Sequence, residues 1–172
     1  MPSLSNLDPE LQFVLIKGEP GTRKSTMALS YPGRQFWGSY DRKMQGIILP
    51  FKLWKLPADH VDYEDYQDWT NFRKKLEGFR ASCPYNTIVV DSVTSMADMT
   101  LREILKDKGA GKTVGQIRVN TYEDFNGESS AIAEMIALLK DIQGYHNSVG
   151  KKITIILIAH VGARVVLLRR PG

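Results

Sequence analysis

Short, nearly unbroken apolar runs alternate along this chain with stretches whose apolar residues recur every three or four positions. The first pattern is that of buried strands and the second that of amphipathic helices. Phe13–Lys17, Thr87–Asp91 and Ile153–Ala159 are the strand-like runs. The last (Ile-Thr-Ile-Ile-Leu-Ile-Ala) is the most apolar and is expected at the centre of a sheet. Between them, Ser129–Gln143 sets Ile132, Met135, Ile136, Leu139 and Ile142 on one helical face. Asp62–Arg80 carries Tyr66, Trp69, Phe72, Leu76 and Phe79 at helical spacing, with an acidic start and a basic end that suit the helix dipole. That stripe reads as core packing rather than as a platform for stacking bases. Strands alternating with helices predict an α/β fold with a mostly parallel sheet flanked by helices.

Shorter elements fill the gaps. Lys24–Ser30 is a helix stopped by Pro32-Gly33, Arg34–Tyr40 a short strand, and Ser95–Lys108 a further helix. Gly46–Phe51 reads as a strand, with Pro50 placing it at an edge or ending it early. Arg164–Leu168 is a possible last strand, and Gly109–Arg118 a mobile basic loop. Gly109-Ala-Gly-Lys-Thr113 imitates the tail of a phosphate-binding loop, but it follows a charged helix, and Lys106 stands where the first glycine belongs. Residues 1–172 are expected to form one domain, with 1–10 flexible and no repeats or linker.

Composition narrows the class. With 42% hydrophobic and 24% charged residues, the chain is an ordinary globular protein rather than a disordered one. A net charge of +4 permits a nucleic-acid partner without demanding one. Cys83 is the only cysteine, so no disulfide forms within the chain, and a buried, inert thiol is its expected role. No signal pattern or membrane-length apolar run is present, which points to a cytoplasmic protein without membrane contact.

The chemistry concentrates after the first strand. Gly18-Glu19-Pro20-Gly21-Thr22-Arg23-Lys24-Ser25-Thr26 follows the phosphate-loop pattern G-x-x-x-x-G-K-[ST], with Arg23 replacing the second glycine. Such a loop turns successive backbone N–H groups inward around phosphate oxygens, in conformations that glycine tolerates best. Lys24 would reach the β- and γ-phosphates, and Ser25 would ligate Mg2+. Gly21 restores part of the lost freedom. Arg23 must adopt a left-handed conformation, at a cost of about 1 kcal/mol, or distort the loop.

In an open parallel sheet, ligands sit beyond the carboxyl ends of the strands. Asp91, after Ile-Val-Val, ends a strand as a Walker B acid does. It is a candidate for Mg2+ binding and for accepting a hydrogen bond from Ser25. His160 ends the apolar run at 153–159.

Three segments together, Gly18–Thr26, Asn86-Thr-Ile-Val-Val-Asp-Ser-Val-Thr-Ser95 and Ile155-Ile-Leu-Ile-Ala-His-Val161, carry a family resemblance. They resemble the RecA-like core of P-loop NTPases, in particular the AAA-type ATPase domain of phage nucleotide-binding proteins that serve recombination and single-strand annealing. The resemblance spans roughly residues 11 to 162. It implies that Lys24, Ser25 and Asp91 hold Mg-ATP, and that His160 occupies the sensor position for the γ-phosphate. It also implies that a carboxylate after the second strand orients the attacking water, for which Asp41 is the candidate. Single-stranded DNA and further copies of the chain are the implied partners, with the basic segments Lys106–Arg118 and Arg164–Arg170 as possible contacts.

Two other readings stay open. Gly-x-x-Gly-x-x-Lys-Ser-Thr also opens nucleotide and nucleoside kinases, which need an arginine-rich lid; Arg73, Arg80, Arg164 and Arg169 are the available arginines. Alternatively, Arg23 disables hydrolysis and leaves a nucleotide-binding structural module.

Overall fold

The computed structural model describes residues 13–107, 112–114, 117–119 and 122–161, and the side chains of 13–102 and 129–161. Five parallel strands form the main sheet: β1 (Phe13–Gly18), β2 (Gln35–Ser39), β3 (Val61–Asp65), β4 (Thr87–Asp91) and β7 (Thr154–His160), in the order β1-β7-β4-β2-β3. The helices are α1 (Lys24–Leu29), α2 (Gln45–Leu53), α3 (Trp69–Ala81), α4 (Val93–Asp107) and α5 (Tyr122–Ser148). They cover both faces, as parallel crossovers require. This is the α/β P-loop NTPase architecture expected from the sequence.

The run at 153–159 forms an interior strand, second from the β1 edge, while β4 holds the middle of the sheet. β7 lies between β1 and β4, and Ile155, Ile156 and Ile158 are fully buried. One side of the sheet packs Phe36, Ile88, Val90, Ile155 and Leu157 against α3 and α5. The other packs Trp37, Val89, Ile156 and Ile158 with Ala28 and Leu29 of α1 and Ile47 of α2. Trp69, Phe72, Leu76 and Phe79 are buried within the first cluster, so the aromatic stripe is core. Met135, Leu139 and Ile142 of α5 are buried in the same cluster.

Three expectations are corrected. Gly46–Phe51 is no strand but the middle of α2, with Pro50 inside the helix. Ile47 alone of that helix is buried, while Ile48, Leu49 and Leu53 face outward. A short apolar run does not distinguish strand from helix by itself, and here one buried contact with the α1 side of the sheet decides.

Asp62–Arg80 divides into the edge strand β3 and the helix α3. The acidic start is a polar edge rather than a helix terminus: Asp62 pairs with Arg34 at 2.6 Å, and Glu64 pairs with Lys75. Asp68 begins the helix by accepting the backbone N–H of Asn71 at 2.7 Å.

The segment 109–118, read as a loop, holds the strand β5 (Lys112–Val114) and most of β6 (Ile117–Val119), paired antiparallel. The helices α4 and α5 also extend beyond their expected N-termini. Residues 1–10 and the possible strand 164–168 lie outside the described residues.

Candidate nucleotide site

Strand register decides which side chains meet. Gly18 pairs with His160 across β1 and β7, while Asp91 pairs with Ile158 on the other flank of β7. His160 therefore stands two residues further out than Asp91, over the carboxyl edge of the sheet. On the far side of β4, Ser39 pairs with Asp91, and the chain then turns to bring Asp41 back to the same edge. The N–H of Tyr40 donates to the Asp91 carbonyl at 2.6 Å and supports that turn.

The loop takes the left-handed alternative at Arg23. Its φ of 61° and ψ of 28° are left-handed, and it directly precedes α1 with no side-chain cap. Gly21 is also at positive φ (81°), with open space where a Cβ would stand. Gly18 has no such room: a Cβ there would lie 2.8 Å from Thr22 Oγ1. The Thr22 hydroxyl donates to the Glu19 carbonyl at 2.8 Å and closes the turn. Glu19, Pro20, Gly21, Thr22 and Arg23 are exposed, and Thr26 is half-buried on α1.

Lys24 is buried, and its ammonium donates to the Gly18 carbonyl at 3.0 Å and the Glu19 carbonyl at 2.8 Å. The cation is thus folded over the loop that must hold phosphate. The Ser25 hydroxyl donates to Asp91 Oδ2 at 2.9 Å, the hydrogen bond expected from the two motifs. Ser25 and Asp91 offer hard oxygen ligands of the kind Mg2+ prefers, so the residues present fit that ion.

A second set of contacts surrounds Asp41. His160 Nε2 lies 2.6 Å from Asp41 Oδ2, while Ser95 donates to Oδ1 and Ser92 approaches the same oxygen at 3.3 Å. Ligand atoms of Asp41, Asp91 and His160 all lie within 4.8 Å of one another. His160 is tied down through its backbone, whose N–H donates to Thr94 Oγ1 at 2.9 Å. Its Nδ1 is buried without a hydrogen-bond partner among the described residues. The peptide bond Asp91–Ser92, beside this cluster, is cis.

The two carboxylates are pushed apart electrostatically. Burial would raise the Asp41 carboxyl, but hydrogen bonds from Ser95 and His160, with the nearby His160 and Lys43, hold it below the ordinary value. Burial, opposed by the Ser25 hydroxyl and reinforced by the negative charge of Asp41, raises Asp91. Of the two, Asp41 is the carboxylate whose charge its surroundings favour, and Asp91 the one whose charge they disfavour.

Sequence reasoning named Lys24, Ser25, Asp41, Asp91 and His160, and the fold brings all five to one edge. It assigned nothing to Ser92, Thr94 or Ser95, though three hydroxyls within four residues after Asp91 were a visible signal. Two of the four arginines considered for a kinase lid are engaged elsewhere. Arg73 pairs with Glu77 at 2.9 Å and Glu134 at 2.6 Å, and Arg80 with Asp141 at 2.9 Å, joining α3 to α5. Arg164 and Arg169 lie outside the described residues.

A parallel sheet carrying a phosphate loop on β1 and an acid on β4 defines a P-loop NTPase. Residues 12–169 match the family described as the AAA domain, and the chain belongs to that family of AAA-type, nucleotide-binding P-loop ATPases. No curated protein matches it. Among the described residues, no helix is long and apolar enough to cross a membrane.

Proposed function

We propose that this protein binds Mg-ATP, hydrolyses it to ADP and phosphate, and couples that cycle to the handling of single-stranded DNA as an oligomer of its own chain. The observation that carries the hydrolytic part is the cluster of Asp41, Asp91 and His160 within 4.8 Å, beside the Lys24–Ser25 loop. A module that only bound nucleotide would need the loop and Asp91, but not the second, half-buried carboxylate of Asp41 beside them.

In this reading the loop N–H groups and Lys24 take the phosphates, Lys24 exchanging its two carbonyl partners for β- and γ-oxygens. Mg2+, held by Ser25 and by Asp91 through water, would supply charge neutralisation at those oxygens. Asp41, ionised and held by hydrogen bonds from Ser95 and His160, orients the attacking water as an acceptor rather than as a strong base. His160 links that carboxylate to the γ-phosphate side of the site. Catalysis is then chiefly positioning and charge stabilisation.

The DNA and oligomer parts rest on the resemblance of the three motif segments to phage recombination ATPases and on the basic stretch Lys106–Arg118. One assay tests the whole: ATP binding and turnover, with and without single-stranded DNA, in wild type and Lys24→Ala. The proposal expects Lys24→Ala to lose binding and turnover, and DNA to bind in a salt-sensitive way or stimulate turnover. Unchanged turnover in Lys24→Ala would overturn the ATPase reading, and indifference to DNA would remove its second half. Phosphate transfer to a nucleotide instead of water would reassign the protein as a kinase.

A further inference from the structure

Asp41 sits in the turn after β2, outside any regular element, so its side-chain hydrogen bonds set the direction of its carboxylate. A carboxylate torsion is broad and roughly two-fold, and free rotation would exchange the two oxygens. Oδ2 meets His160 at 2.6 Å; Oδ1 is met by Ser95 and, at 3.3 Å, by Ser92. The two hydroxyls do not serve equally. Each has a single proton. Ser92 Oγ accepts the backbone N–H of Ser95 at 3.2 Å and lies 3.1 Å from Ser95 Oγ as well as near Asp41. It caps the first turn of α4 and backs Ser95, leaving the Ser95 proton for the carboxylate.

We propose that Ser95 is a positioning residue for hydrolysis: its hydroxyl fixes Asp41 Oδ1, so that Oδ2 is presented to His160 and to the water it orients. The inference rests on the hydrolytic role given to Asp41 above, but its geometric core does not. Ser95 reaches Asp41 from the first turn of a helix anchored on β4, which is a stiffer support than the turn that carries Asp41 itself. The same turn receives the His160 N–H on Thr94, so one short segment of α4 holds both partners of the pair.

The test measures turnover, nucleotide affinity and the imidazole 15N resonances of His160 in wild type, Ser95→Ala and Ser95→Thr. Loss of a hydrogen bond to a charged group predicts that Ser95→Ala lowers kcat about tenfold or more, with nucleotide Kd changed less than about twofold. Ser95→Thr, which keeps the hydroxyl, returns kcat to within about threefold of wild type. The His160 resonances move in the alanine variant and return in the threonine variant. An unchanged kcat in Ser95→Ala, an equal fall in affinity, or a threonine variant as slow as alanine would each overturn the proposal. Should wild type show no turnover at all, the hydrolytic reading fails separately, and unmoved His160 resonances in Ser95→Ala then reject the positioning role on its own evidence.

Discussion

Asp41 and His160 meet at 2.6 Å although 119 residues separate them in the chain. The contact exists because β2 and β7 flank β4, and their C-terminal ends converge above it. If Asp41 orients the attacking water, Asp41→Asn keeps the shape and removes the charge. Turnover should fall about 100-fold or more, with ATP affinity kept within a few-fold. Steady-state hydrolysis together with a nucleotide-binding titration checks this; a parallel loss of affinity would mark Asp41 as a binding residue instead.

Arg23 lies in the left-handed region at φ 61°. Replacing it by glycine removes a strain of about 1–2 kcal/mol. Part of that gain is offset by the freer unfolded chain, worth about 0.4–1 kcal/mol. Arg23→Gly should therefore be neutral to stabilising by roughly 1 kcal/mol in urea unfolding, with no loss of nucleotide binding. Faster turnover in this variant would show that the arginine restrains hydrolysis in the wild-type protein.

Gly38 on β2 has no space for a side chain, since a Cβ would lie 2.5 Å from Phe72 Cε2. Phe72 is fully buried and packs edge-on against Tyr40 at a centroid distance of 5.7 Å. Gly38→Ala should destabilise the fold by about 1–3 kcal/mol through overpacking. Adding Phe72→Leu should recover part of that loss even though Phe72→Leu alone is destabilising. A double-mutant cycle in chemical denaturation measures the coupling.

Stability should decline on the alkaline side in two stages. Burial raises the Cys83 thiol, and burial, aided by Asp62, pushes Tyr85 up to about 12. Burial also raises Tyr40 and Tyr66, reinforced by Asp68 and Glu64 respectively. For acids whose folded value is raised, the contribution is complete below the unfolded value and is lost as the pH climbs toward the folded one. The first loss begins near the ordinary thiol value of about 8.5 and the second near the tyrosine value of about 10. Cys83→Ala should abolish the first stage, and urea midpoints across pH 7–11 would reveal it. Thiol labelling of the native protein should be slow throughout the lower part of that range.

Much of this was legible before any fold was known. The loop Gly18–Thr26 and the strands ending in Asp91 and His160 are local patterns whose periodicity and end residues are properties of the chain itself. The misreadings fell where a short segment has no decisive period. Gly46–Phe51 became a helix through the burial of Ile47. Val61–Asp65 became an edge strand because β2 offered it a ladder, from Gln35 paired with Val61 to Ser39 paired with Asp65.

Local sequence, then, determined the elements, the phosphate loop and the residue types available for chemistry, because backbone preference and hydrophobic period act over only a few residues. Tertiary structure alone decided strand order and register, and with them which polar side chains share the sheet edge. That choice put β7 between the loop strand and the acid strand, delivered His160 two residues beyond Asp91, and aimed Ser95 at Asp41. Contacts between residues 54 or 119 positions apart have no local signature, since they form only when the whole hydrophobic core is buried at once.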